Sequence, residues 1–508
     1  MSRRVTHRLA PVEVLTNSDE GARHRLPRMH LAFLNPQGNF DPADSHLTAH
    51  PDFGGQLVYV KQVALALGRL GHRVDIVTRR IDDPKWPEFS GDRDTYPGEP
   101  NVQIIRLAAG DTAAFLPKEE LWPFLVRDWV PNILAHYGAD LPTAFTGHYG
   151  DGGLAAVLLR QASGVPFTFT AHSLGAQKLD KLMDESGDLT ALDDRYHFGV
   201  RLAAERLAIN HSGVNVVSTN VERFEQYAHA RYADAVDVEN DERFAVIPPG
   251  VNLETFDRDS ESPLDREMAD FVGERIVAAT GRRAGLPAIV ASSRLDRKKN
   301  IVGLVEAYAS SHRLQRSANL VLITGSVADP LVDSGSASPS ERAVIREVRA
   351  VVEESGLGGM VAAFGLQGQD RLAAAYRHFA HHGGVFALTA LYEPFGLAPL
   401  EAAAAGLAVV ATRNGGPAES LVDEDGEYGV LVDPTDPHDI AAGLERALGD
   451  EWEKLAHAGR QRVHDRYTWD RTAAGYVRAI ARALESPERE LLPIDPYFFG
   501  EGGAPTLG

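Results

Sequence analysis

Short apolar runs alternate along this chain with stretches whose apolar positions recur every three or four residues, the rhythm of an α/β protein. His30–Leu34 reads as a buried first strand that ends in the turn Asn35-Pro36-Gln37-Gly38. The Gly-rich loop Asp52-Phe53-Gly54-Gly55-Gln56 then opens a helix with Val60, Val63, Leu67 and Leu70 at helical spacing. Gly71 ends that helix, and residues 74–78 read as the next strand. Strand, Gly-rich turn, helix and strand form the unit of a parallel sheet. The rhythm continues through apolar runs at 102–107, 167–171 and 214–218, then breaks at Ile247-Pro248-Pro249-Gly250-Val251. It restarts with strands at 288–292, 320–324, 361–364, 385–388 and 409–412. The pattern predicts two Rossmann-like domains, residues 28–248 and 249–468, whose parallel sheets face an interdomain cleft. Residues 1–27 are polar, Arg-rich and aperiodic and read as a mobile tail. An amphipathic helix at about 469–485 is followed by a second tail, 486–508, rich in Pro and Gly.

Composition narrows the function. A chain of 508 residues exceeds one ordinary core, in keeping with two domains. The net charge of −20 excludes nucleic acid as the main ligand, since a phosphate backbone asks for a basic surface. An anionic substrate therefore needs a local basic pocket in an acidic molecule. Only eight lysines are present, which suits either a salty cytoplasm or a genome that favours Arg. With no cysteine, disulfides, thiolate catalysis and cysteine metal sites are excluded. The longest apolar runs are too short to span a bilayer and the first residues lack a secretory core, so the reading is cytoplasmic, with no membrane partner.

Four segments carry candidate chemistry. In Glu393-Pro394-Phe395-Gly396-Leu397-Ala398-Pro399-Leu400-Glu401, two carboxylates eight positions apart flank a turn into an Ala-rich helix starting near Ala398. The backbone N–H groups of Phe395, Gly396 and Leu397 can then approach a sugar or diphosphate, while Glu393 and Glu401 accept sugar and ribose hydroxyls. An isolated pair at this spacing is ordinarily a capping acid and a surface acid. The buried strand before it and the interposed Pro-Phe-Gly make this one more specific. Ser293-Arg294-Leu295-Asp296-Arg297-Lys298-Lys299 follows another apolar strand, where Arg294 and Lys299 suit a diphosphate leaving group. Taken alone it is a solvated basic turn. Gly54-Gly55-Gln56 lets backbone approach a ligand at a helix N-terminus but lacks the Gly-Lys-Ser/Thr of a nucleotide-triphosphate loop. In Thr170-Ala171-His172-Ser173-Leu174-Gly175-Ala176-Gln177-Lys178, His172 sits at a strand end with Lys178 close by; Lys118 and Arg201 are further cations of this half. No metal is expected, because the adjacent His381 and His382 cannot share a helical face.

Together these segments resemble the retaining glycosyltransferases of the GT-B fold, family 4, and within it the enzymes that form sucrose 6-phosphate. The stretches PDFGGQLVYVKQVALAL, FLPKEELWP, HYGDGGLA, FTAHSLGAQK, VIPPGVN, ASSRLDRKKN, YEPFGLAPLEA and TRNGGPAE carry the likeness over roughly residues 30 to 485. The resemblance implies transfer of glucose from UDP-glucose to fructose 6-phosphate, with no tightly bound cofactor. Glu393 would hold the glucose, Glu401 the ribose, and Arg294 with Lys299 the diphosphate. Gly55 and Gln56 would lie against donor phosphates and acceptor, and His172 would bond the transferred sugar. Lys118, Lys178 and Arg201 would hold the acceptor phosphate, with Tyr149 and Ser173 beside it. The helix at 469–485 would pack back onto the first domain, and a hinge near 248–252 would close around both substrates. Position 200 is Val where a second basic neighbour of Arg201 is expected. The likeness does not extend to the phosphatase-like domain of plant relatives, so release of sucrose would need a separate phosphatase. The alternatives are a GDP-mannose donor with the same acceptor, a sucrose synthase acting on free fructose, and a non-catalytic sugar-phosphate sensor.

Overall fold

A computed structural model describes residues 28–46, 55–325 and 327–507. The expected N-terminal tail, 1–27, and Gly54 with the residues just before it lie outside the described residues. The chain divides into two compact units, one running to Pro248 and resuming at Trp469, the other Pro249–Thr468.

The first unit is built on an eight-stranded sheet: β1 (His30–Leu34), β2 (Arg73–Arg79), β3 (Arg93–Thr95), β4 (Val102–Leu107), β5 (Ala144–His148), β6 (Phe167–Thr170), β7 (Val214–Val217) and β8 (Phe244–Val246). Their order is β3-β4-β2-β1-β5-β6-β7-β8, parallel except for the edge strand β3. Leu31 and Phe33 of β1 enter one apolar layer, Ala32 and Leu34 the other, so the sheet is covered on both faces. That double cover explains why the strands read as continuous apolar runs. β5 escapes the sequence pattern because Gly147 and His148 interrupt its apolar run.

The second unit repeats the plan with β9 (Ala288–Ser292), β10 (Asn319–Thr324), β11 (Val361–Gly365), β12 (Val385–Leu388), β13 (Ala408–Thr412) and, beyond a small hairpin of β14 (Val422–Asp423) and β15 (Gly426–Glu427), β16 (Val430–Val432). The order is β11-β10-β9-β12-β13-β16, all parallel. In both sheets the strand order reverses beside the first strand, between β1 and β5 and between β9 and β12. In open parallel sheets, ligands bind outside the carboxyl ends of the strands at such a reversal.

Helix Trp469–Leu484 returns to the first unit, burying Trp469, Tyr476 and Ile480 in the layer that holds Phe33 and Val63. The segment after it corrects the reading of 486–508 as a tail. Residues 487–507 lie along the first unit, with the Phe498 ring fully buried in the apolar layer that also holds Trp129 and Phe198. Its few apolar side chains are spaced irregularly, so no helix or strand period betrays their burial.

Candidate functional site

In the first unit, candidate side chains gather at the carboxyl ends of β1, β4, β5 and β6. Gln37 follows β1, Lys118 follows β4, Tyr149 and Asp151 follow β5, and Lys178 follows β6 in helix Gly175–Ser186. With Glu119, Trp122, Tyr196, Phe198 and Arg201 they line one recess, in which Lys118 lies 3.5 Å from the Glu119 carboxylate. Three cations of the sequence reading, Lys118, Lys178 and Arg201, therefore share a wall with Tyr149. The Lys178 ammonium lies over the Tyr196 ring, 5.4 Å from its centre, and the Arg201 guanidinium 5.2 Å from that of Tyr149.

Arg201 is fixed from behind. Its Nε donates to Glu205 Oε1 at 2.8 Å, one helical turn on, and its Nη2 to the Ser173 carbonyl at 2.9 Å. Burial works against its charge, but the Glu205 carboxylate, Tyr149 and Tyr232 together outweigh this and hold the guanidinium above its ordinary value. Ser173 thus stands behind the recess and acts through its carbonyl. Val200, where a second basic residue was expected, is buried in the core. Asp151 was missed by sequence reasoning, though it sits in the quoted HYGDGGLA stretch. Burial pushes its carboxyl up to about 7, against the pull of the Gly152 N–H, Arg201 and Lys118.

Tyr149 and His172 each have a left-handed backbone, φ 65° and 57°. Side chains rarely adopt this region, and such strain collects at functional sites. His172 stacks on His148, with Nε2 2.9 Å from His148 Nδ1, and His148 Nε2 lies 2.9 Å from Thr146 Oγ1. Burial lowers the His172 imidazole to about 3, so it is neutral at physiological pH. The Tyr59 ring meets His172 edge-on, and Tyr476 of the returning helix bonds Tyr59 and Thr170 through its hydroxyl. Gln56 opens helix Gly55–Arg69, whose first turn is exposed at Gly55. The buried Gln56 side-chain nitrogen has no hydrogen-bond partner among the described residues.

In the second unit, Lys299 from the loop after β9 donates to Glu393 from the loop after β12 at 2.5 Å, across the strand-order reversal. Arg294 is exposed and makes no ion pair among the described residues. The helix after the Glu393 loop is Leu397–Ala404, capped by Gly396 at φ 91°, which leaves the N–H groups of its first turn unpaired within the helix. Glu401 lies one turn on from Leu397, and burial pushes its carboxyl up to about 7. Asn414, Gly415 and Gly416 build the floor under this loop: Glu393 N donates to the Asn414 carbonyl and Gly416 N to the Glu393 carbonyl. A Cβ on Gly415 would meet the Glu393 oxygen at 2.1 Å, so only glycine permits the approach. These residues lie in TRNGGPAE, one of the stretches that carry the family likeness.

The glycosyl transferases group 1 family model matches residues 273–463, and the glycosyl transferase 4-like domain model matches residues 54–250. Fold and these matches define a retaining GT-B glycosyltransferase, a hexosyltransferase. A probable sucrose-phosphate synthase of Thermosipho melanesiensis is 42% identical over 89% of this chain and 97% of its own length. The sucrose-phosphate synthase of Spinacia oleracea is 31% identical over 93% of this chain, which spans 49% of that longer protein. Among solved structures, the Thermosynechococcus elongatus sucrose-phosphate synthase is 26% identical, with a TM-score of 0.63 over 91% of this chain and 100% of that one. The chain belongs to the sucrose-phosphate synthase family. Among the described residues, no helix is long and apolar enough to cross a membrane.

Proposed function

We propose that the protein transfers glucose from UDP-glucose to fructose 6-phosphate with retention, giving sucrose 6-phosphate and UDP. The observation that carries the acceptor reading is the recess where Lys118, Lys178 and Arg201 converge in a chain of net charge −20. A cluster of cations in an acidic molecule suits the phosphate of a sugar phosphate, and the ring of Tyr196 beside it suits the sugar face. Tyr149 and Asp151 line the same recess and would take sugar hydroxyls. Ser173 serves by holding Arg201.

In the second unit, Arg294 and Lys299 neutralise the diphosphate as negative charge develops on it. Glu393, oriented by Lys299, accepts hydroxyls of the transferred glucose, and Glu401 those of the ribose. The N–H groups of Phe395, Gly396 and Leu397 face the donor at the helix start. Gly55 and Gln56 contact donor phosphate and acceptor, the orphaned Gln56 amide supplying donors. His172, neutral, bonds the transferred sugar. The fructose C2 hydroxyl attacks the anomeric carbon from the face the phosphate leaves. Its proton passes to the departing phosphate oxygen as the carbon–phosphate-oxygen bond breaks, so no protein nucleophile is used.

Incubation with UDP-glucose and fructose 6-phosphate, followed by proton NMR, tests this reading. It predicts UDP together with an α-anomeric product bearing phosphate. Ligand binding without UDP release would replace it with the sensor reading, and equal rates with free fructose would replace it with a sucrose synthase.

A further inference from the structure

Helix Phe198–His211 carries Phe198 and Arg201 into the recess, and the stretch after the returning helix grips it at both ends. At its carboxyl end, the Arg489 guanidinium donates to the Asn210 and Ser212 carbonyls, groups that a helix end leaves unpaired. Leu492 N donates to Asn210 Oδ1 at 2.9 Å, and His211 Nε2 bonds the Leu492 carbonyl at 2.8 Å. At its amino end, the Pro505 carbonyl lies so close that a Cβ on Gly199 would meet it at 2.2 Å. Asp193 there joins both partners, accepting from Gly199 N at 2.7 Å and from Leu507 N at 3.4 Å. Between the two grips, Phe498 is fully buried against the same core.

We infer that residues 487–507 are a positioning strap that splints the Tyr196–Arg201 wall and so sets affinity for the acceptor phosphate. None of these residues lines the recess; they act through the helix that does. The position of a guanidinium matters because its bonds to phosphate are directional, and a wall free to shift loses binding without altering the chemistry at the donor. The inference rests on the acceptor reading above.

The test is a variant ending at Gly500, which keeps Phe498 and Arg489 but removes the grip on Gly199 and Asp193, alongside Arg489→Gln in the full chain. Both should raise the KM for fructose 6-phosphate roughly 5- to 20-fold while kcat and the KM for UDP-glucose stay within about twofold. Hydrogen exchange at amides 196–202 should quicken about tenfold in the shortened variant. An unchanged acceptor KM in folded variants, or equal changes in both KM values, overturns the strap. If the parent chain fails to turn over fructose 6-phosphate, the functional reading fails on its own. Exchange then decides the strap separately, and unaltered protection at 196–202 refutes it.

Discussion

Lys299 and Glu393 come from loops 94 positions apart and meet at 2.5 Å, so each sets the other's direction. Arg294, by contrast, is exposed and makes no ion pair among the described residues, as suits a group waiting for a diphosphate. Arg294→Ala should therefore lower kcat by roughly 10²–10³-fold in steady-state kinetics, the usual loss for a contact made to transition-state charge. A near-normal kcat would remove it from the leaving-group site. Lys178→Ala should raise the KM for fructose 6-phosphate at least about tenfold and leave that for UDP-glucose alone. Asp151 gives a pH signature. Its folded carboxyl titrates at about 7 rather than 3.8, so it is neutral below that pH and negative above it. The recess is thus more cationic on the acid side, and the acceptor KM should fall as pH drops from 8 to 6.5, with Asp151→Asn flattening the trend. The same raised value means that its contribution to stability is full below 3.8 and is lost as pH rises through about 7. The places of Arg294, His172 and Glu393 after apolar strands were legible in sequence from the runs before them, and strand ends are where such sheets bind ligands. Asp151, Tyr196 and Phe198 were not, since only packing shows that they share a recess with Lys118.

The loops that hold these groups owe their shape to their neighbours. The Glu393 loop rests on Asn414, Gly415 and Gly416 through main-chain hydrogen bonds that tolerate no side chain at Gly415, where φ is also 99°. Gly415→Ala should displace Glu393 and cut kcat/KM for the donor by at least about tenfold. Circular dichroism should show the secondary structure retained, because the clash lies in a loop outside both apolar layers. Wild-type activity in this variant would contradict the packing described. Most strands were legible because a sheet covered on both faces needs unbroken apolar runs. β5 was hidden by Gly147 and His148, and β14 and β15 are two residues each, too short for any period to show. The strap was misread for a related reason: its burial rests on isolated side chains, chiefly Phe498, and on carbonyl contacts that leave no pattern in sequence.

Across the molecule, a charge of −20 coexists with a recess walled by Lys118, Lys178 and Arg201. Self-repulsion among the surplus carboxylates destabilises the compact state and is screened by salt. The melting temperature should accordingly rise as NaCl goes from 0.05 to 0.5 M; a fall would mean that favourable ion pairs dominate instead. In the proposed function the sugar phosphate goes to the recess and the nucleotide sugar to the unit holding Arg294, Lys299 and Glu393. One measurement tests that division most directly: initial rates over a matrix of UDP-glucose, ADP-glucose and GDP-mannose against fructose 6-phosphate, free fructose and glucose 6-phosphate. Turnover concentrated in the pair UDP-glucose and fructose 6-phosphate is the predicted result. Turnover of GDP-mannose with none of UDP-glucose, or no gain from the acceptor phosphate, would contradict it.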